Sequence, residues 1–136
     1  STVSTPAKVT ISSAAAATCS PAPKWGWPSQ GSITQTAASV SKGTAIKITG
    51  EAQVLKAAAS GTITFIGRGT NYTNRITISH NKAFSTVYEY NGKSSAKIGN
   101  SVSLGQTIGQ LNAQTPLYFE IRCHKKALNP LNYLPG

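Results

Sequence analysis

The side chains that could carry acid–base or metal chemistry are few in this sequence. Its 136 residues include three acids, Glu51, Glu89 and Glu120, no Asp, and two histidines, His80 and His124. A hydrolytic zinc site needs three protein ligands, and general acid–base catalysis needs a positioned pair of titratable groups. Neither histidine stands at a ligand spacing, and the chain contains no phosphate-binding loop and no G-x-S-x-G turn. We therefore expect no catalytic residues, no bound metal and no cofactor.

The charge of the chain is strongly positive. Thirteen Lys and Arg stand against three acids, which gives a formal net charge of +10. Such a balance predicts attraction to polyanions or to an acidic partner, and a merely solubilising basic surface is the alternative. The basic residues are scattered rather than clustered in a run, and aromatic residues make up only 7% of the chain. These features argue against a nucleic-acid partner.

The elements that must position these side chains are strands. Short alternating runs rich in Ile, Val, Thr and Tyr are bounded by Gly, Asn and Ser, which is typical of strands and turns. No segment has a sustained helical stripe, and no apolar run is long enough to span a membrane. The pattern predicts an all-β sandwich or open barrel. The predicted strand runs are Gly43–Gly50, Val54–Ala58, Gly61–Gly67, Asn74–His80, Phe84–Tyr90, Ser101–Leu111 and Pro116–Cys123.

The chain divides into a tail and one domain. Residues 1–22 are Ser, Thr and Ala with little periodicity, so we expect a flexible linker or tail there. Large aromatic residues first occur together at Trp25 and Trp27, and we place the domain at residues 23–136. A domain of that size can hold a core without covalent staples.

A series of short motifs, weak singly but in a consistent order, resembles the LytM (lysostaphin-like) metallopeptidase domain from about Trp25 to Pro135. The resemblance implies an all-β, LytM-like antiparallel β-sandwich or open barrel with a central groove. The final motif is similar to the ending of NlpD-type proteins. The matching segments are Trp27-Pro28 with Gly31, Asn74–His80, Ser85–Tyr88, Gly105–Gly109, Phe119–Arg122 and Asn129–Pro135.

Active members of this family hold one zinc ion, and the resemblance implies that this chain has lost the residues that bind it and assist it. A lysine at the position of the acidic ligand would place a cation where the metal cation belongs. The substituted positions, by the family's motifs, are Gly43, Lys47, Tyr90, Pro116 and Tyr118.

Degenerate LytM domains of the NlpD/EnvC type activate cell-wall amidases, which implies that this chain is a non-catalytic envelope domain with an amidase as its partner. The alternatives are a module that binds peptidoglycan or another anionic wall polymer, and a structural subunit of a larger envelope complex. Glu89 and Glu120 are expected to pair with Arg122 or Lys47 on the strand surface. The predicted partner-binding groove comprises Lys47, Tyr90, Tyr118, Pro116, Glu89 and Arg122.

The resemblance also implies a periplasmic or envelope location, with any lipid anchor in a segment upstream of residue 1. In that oxidising compartment Cys19 and Cys123 are expected to form a disulfide, and two buried thiols are the alternative. Such a bond would draw the N-terminal tail towards the last predicted strand, where it could cover the groove.

Overall fold

The computed structural model describes residues 23–38 and 43–135. The predicted tail, residues 1–22, lies outside the described residues, and so does Cys19. Cys123 is a buried residue at the end of a strand, and its pairing with Cys19 stays a prediction.

Eleven strands and a single 3₁₀ turn make up the regular structure of the described residues. The 3₁₀ turn, Pro130–Asn132, begins where the Asn129 side chain accepts a hydrogen bond from the Leu131 N–H. The strands are β1 (Ser32–Ala38), β2 (Thr44–Thr49), β3 (Gln53–Lys56), β4 (Gly61–Gly67), β5 (Asn74–Ser79), β6 (Phe84–Tyr90), β7 (Gly92–Ser94), β8 (Ser101–Val102), β9 (Thr107–Leu111), β10 (Leu117–Cys123) and β11 (Lys126–Leu128).

The strands form two antiparallel sheets. The larger sheet has the order β1-β2-β10-β6-β5-β4-β8, and the smaller has the order β3-β9-β7. Strand β10 has two neighbours on one edge, because its first half pairs with β2 and its second half pairs with β11. Its other edge pairs with β6 over most of its length. The pair β6–β10 therefore lies at the centre of the large sheet.

The core lies on one face of the large sheet. Because strand side chains alternate between faces, every second residue of β2, β5, β6 and β10 is directed into it. The fully buried side chains include Ile46, Ile76, Tyr88 and Phe119. Burial of an aliphatic or aromatic side chain of this kind is worth about 1.5–3 kcal/mol. The alternation seen in the sequence thus fixes which face of each strand is apolar.

The predicted all-β, LytM-like fold is confirmed. Strands β4 and β6 have the predicted bounds, whereas the predicted run from Ser101 to Leu111 divides into β8 and β9 around a turn. Strands β1, β7 and β11 were not predicted. Within the described residues, no helix is long and apolar enough to cross a membrane.

Candidate functional site

Four polar side chains form a row across the centre of the large sheet. Lys47 of β2 pairs with Tyr118 of β10, Tyr118 pairs with Glu89 of β6, and Glu89 pairs with Arg75 of β5. Directly opposed residues project to the same side of a sheet. This side, called the polar face below, is opposite the face that carries the core. Of the six predicted groove residues, the row contains Lys47, Tyr118 and Glu89.

Along β10, the polar face continues into a buried ion pair. Residues two apart on a strand share a face, so Tyr118, Glu120 and Arg122 line up. The Arg122 Nε donates to Glu120 Oε1 at 2.7 Å, and the Tyr118 hydroxyl donates to Glu120 Oε2. Glu120 is fully buried. The predicted pairing of Glu120 with Arg122 is confirmed, and both carboxylate oxygens are satisfied within the chain.

Glu89 binds a loop as well as an arginine. Its Oε2 accepts from Arg75 Nη1 at 2.9 Å, and its Oε1 accepts from the Thr70 N–H at 2.8 Å. The expected pairing of Glu89 with Arg122 or Lys47 is wrong, because the strand register places Arg75 of β5 directly opposite Glu89. A Cβ on Gly69 would stand 2.6 Å from Glu89 Oε1. The loop at residues 68–73 therefore lies against the carboxylate, and a side chain at position 69 would have to displace Glu89 Oε1.

Tyr72 brings this loop over β10. Its ring centroid is 6.4 Å from that of Tyr118, with the planes tilted by 30°. Burial raises the pKa of Tyr72, and the negative charge of Glu89 raises it further, so the phenol stays protonated. Sequence reasoning did not select Tyr72 or Arg75. Arg75 lies inside a motif that was matched for other residues, and Tyr72 lies in a loop without periodicity.

Tyr90 does not belong to this group. Its side chain is on the core face and fully buried, and its hydroxyl donates to the Lys93 carbonyl oxygen at 2.9 Å. Burial raises the pKa of Tyr90 to about 12, against a smaller lowering by a hydrogen bond with Ser94. The expectation that Tyr90 lines the groove is therefore corrected. Pro116 directly precedes β10 and is half-buried.

The residues of the polar face do not fit a zinc ion. Gly43, at the position of the family's first ligand, has no room for a side chain: a Cβ there would collide with the Ala127 carbonyl oxygen and stand 2.6 Å from its carbon. Lys47 and Tyr118 supply an ammonium and a phenol that donates to Glu120. Among residues 23–38 and 43–135, no group of three or more His, Cys, Asp and Glu is placed to hold a metal.

His80 lies at the end of β5 and has a structural role. Its Nδ1 donates to the Ser60 carbonyl oxygen at 2.7 Å, and its Nε2 is 2.9 Å from Thr86 Oγ1. The carbonyl can only accept, so Nδ1 carries a proton, and in the neutral ring Nε2 is then the nitrogen able to accept. Burial lowers the pKa of His80, and the hydrogen bond to Ser60 offsets part of this effect. The other histidine, His124, is exposed, as expected.

Comparison with known proteins places these features in a family. The model of peptidase family M23 matches residues 39–130. The outer membrane antigenic lipoprotein B of Haemophilus influenzae is 36% identical over 118 residues, 82% of this chain and 29% of that protein. The murein hydrolase activator NlpD of Escherichia coli K12 is 34% identical over 125 residues, 87% of this chain and 33% of that protein. The chain thus spans about a third of the length of these relatives.

The fold matches solved structures of the same class. A peptidase M23 structure from Pseudomonas aeruginosa superimposes with a TM-score of 0.71 at 17% sequence identity, over 90% of this chain and 57% of that one. At this identity the likeness concerns the fold alone, and the site must be judged from its own residues.

Proposed function

Because this chain belongs to peptidase family M23, we propose that it is a non-catalytic member that regulates a cell-wall amidase by binding it through the polar face. The binding occurs in the bacterial envelope. The domain itself hydrolyses nothing, and its partner supplies the chemistry.

The filled polar face is the observation that carries the proposal. A peptidase of this class needs an open metal position for water. Here Tyr118, Glu120 and Arg122 satisfy one another, and Arg75 and Thr70 satisfy Glu89. A closed set of hydrogen bonds under a tyrosine-bearing loop is a rigid surface, which costs little entropy to bind.

The names of the relatives support the direction of the proposal. The Escherichia coli relative is named a murein hydrolase activator, and the Haemophilus influenzae relative is named an outer membrane antigenic lipoprotein. Both relatives are about three times the length of this chain, so their roles are transferred here as a proposal.

The contact surface is the outer layer of the polar face. Glu89 and Tyr118 are only 2% and 8% exposed, so they support the surface from beneath. Lys47, Tyr72 and Arg122 are half-buried and can reach a partner. Tyrosine and arginine commonly dominate interface energetics. We therefore assign the central contact to Tyr72 and Lys47, with Arg122 and Pro116 beside them.

The proposal is tested by the hydrolysis of dye-labelled peptidoglycan by a purified envelope amidase. The chain should release no dye alone, with or without added Zn²⁺, and should stimulate the amidase. The double variant Lys47→Glu/Tyr72→Ala should stimulate the amidase at least about tenfold less, since loss of a central interface residue commonly costs 2 kcal/mol or more.

The matched control is Lys97→Glu with Ile98→Ala, which alters an exposed lysine and an exposed apolar residue between β7 and β8. It should stimulate like the parent chain. Dye release by the chain alone would contradict the proposal, and so would equal stimulation by both double variants.

A further inference from the structure

Three lysines lie on two adjacent turns at one end of the large sheet. Lys82 lies in the β5–β6 turn, Lys125 in the β10–β11 turn, and Lys126 begins β11. The turns are adjacent because Cys123 pairs with Phe84 and the His124 N–H donates to the Ala83 carbonyl oxygen at 3.0 Å. All three lysines are exposed. They are called the basic end below.

The carboxylates of the acidic side chains lie elsewhere. Glu89 and Glu120 are buried and paired with Arg75 and Arg122. Glu51 follows β2, whose last residues pair with the first residues of β10, so it lies at the opposite end of the sheet. The chain has no other Asp or Glu. The positive field at the basic end is therefore not balanced by acidic side chains nearby.

The backbone at the basic end is strained. His124 and Lys125 are the two central residues of a two-residue hairpin turn, with φ of 49° and 71°. A two-residue hairpin turn with both residues in the left-handed region is a type I′ turn, in which Asn-Gly is the favoured sequence. A non-glycine residue in this region carries a conformational penalty, and such strain is typical of functional positions. The sequence thus keeps a cationic side chain where glycine would fit more easily.

We propose that the basic end is a docking surface for an anionic lipid membrane, with the lysines contacting headgroup phosphates. The three lysines are exposed on two adjacent turns, so their charges can face a broad anionic surface together. Juxtaposed lysines of this kind are attracted to anionic leaflets. A relative described as an outer membrane lipoprotein would hold such a domain near a membrane.

The basic end lies apart from Tyr72 and Lys47, the central contact of the proposed function, whereas Arg122, beside that contact, is close to the basic end on β10. Lys82 and Lys125 lie beyond Phe84, the first residue of β6, whereas Glu89 is near the last residue of that strand. The Tyr72 and Lys47 contact and the three lysines therefore lie towards different ends of the sheet, so a substitution at one leaves the other in place.

The test is co-sedimentation of the whole chain with vesicles of phosphatidylcholine alone or of phosphatidylcholine with phosphatidylglycerol. The triple variant Lys82→Gln/Lys125→Gln/Lys126→Gln should bind the anionic vesicles about 100-fold more weakly, from about fivefold for each lysine. The control Lys56→Gln/Lys93→Gln/Lys97→Gln removes the same charge from exposed sites outside the basic end and should stay within about threefold of the parent chain. Equal losses in both variants, or no loss in either, would overturn the proposal.

Two further arms sharpen the result. Lys125→Gly and Lys125→Gln should weaken vesicle binding alike, about fivefold, while only the glycine variant should raise Tm, because it alone relieves the left-handed strain. Purified peptidoglycan sacculi carry carboxylates instead of lipid phosphates. Loss of sacculus binding in the triple variant with unchanged vesicle binding would overturn membrane docking in favour of a wall polymer.

Discussion

The two faces of strands β6 and β10 hold buried polar groups in different ways. On the core face, Tyr88 accepts from the Ala58 N–H at 2.9 Å and is 2.8 Å from Thr86 Oγ1, which contacts His80. On the polar face, Tyr118 donates to Glu120, which also binds Arg122. The first network is neutral and the second contains an ion pair, although both are built around a buried tyrosine hydroxyl.

The two networks tolerate the loss of a member to different degrees. Burial raises the pKa of Tyr88 to about 12, against a smaller lowering by its hydrogen bonds with Thr86 and Ala58. In the neutral network, therefore, only the His80 ring changes its protonation state near neutral pH. The charged network contains a full carboxylate in a buried position. Removing one partner of a buried ion pair leaves an uncompensated charge, whereas removing one neutral hydrogen bond costs much less.

The largest expected effect comes from Glu120→Ala. The substitution leaves the Arg122 cation and the Tyr118 hydroxyl without their acceptor, so the free energy of unfolding should fall by about 3–5 kcal/mol. Urea denaturation at neutral pH measures it. The exposed acid Glu51 supplies the control, because Glu51→Ala should change stability by no more than about 0.5 kcal/mol. A small effect of Glu120→Ala would mean that the buried pair is not formed.

Tyr118→Phe sharpens the comparison within the polar face. It removes one hydrogen bond to a charged group and keeps the ring, so a loss of about 2 kcal/mol is expected. Tyr72→Phe is the matched control, because the Tyr72 ring stacks on the same site. It should change the urea midpoint little. Equal losses for both variants would contradict the assignment of Tyr118 as the residue that holds Glu120.

Thr86→Val tests the neutral network in the same way. Valine keeps the shape but leaves Tyr88 and His80 Nε2 with one partner fewer, and a loss of roughly 1–2 kcal/mol is expected. Thr64→Val, at an exposed position of strand β4 in the same sheet, controls for the change of side chain. A Thr86→Val loss as large as that of Glu120→Ala would break the distinction between the two faces.

The smallest effect is a pH dependence carried by His80. Its folded-state pKa is lowered by burial, so the unfolded chain binds the proton more readily. The contribution of His80 to the free energy of unfolding should therefore be complete above about pH 6.5, and it should be lost as the pH falls below that value. Urea midpoints between about pH 7.5 and pH 5.5 measure this slope in a window where carboxyl groups titrate little. His80→Asn should flatten the slope, and His124→Asn, at an exposed site, should leave it unchanged.

Much of the fold could be predicted from the sequence because alternation and turn residues are local signals. Strand β4 begins and ends at a glycine, and β6 follows the Asn81 turn and ends before Asn91. Strands β7 and β11 are three residues long, too short to show alternation, and exist because β9 and β10 offer an edge. Strand β1 is rich in Ser, Thr and Gln and depends on pairing with β2.

The site was predictable only where strand geometry alone determines it. Glu120 and Arg122 are two residues apart on one strand, so their pairing follows from the sequence. Tyr90 was assigned to the wrong face because a motif does not say on which face of the sheet a side chain lies. The register places Glu89 opposite Tyr118 on the polar face, so the next residue, Tyr90, points to the core face. The position of Tyr72 depends on the contact between the 68–73 loop and Glu89, which no local pattern encodes.

The docking of an amidase on the polar face can be followed by hydrogen–deuterium exchange of the chain with and without a purified envelope amidase. Binding through the polar face predicts protection of the backbone amides in residues 68–73, with no change in the turns that carry Lys82 and Lys125. Protection of those turns, with the 68–73 loop exchanging as in the free chain, would contradict the claim that the former catalytic face has become the docking site.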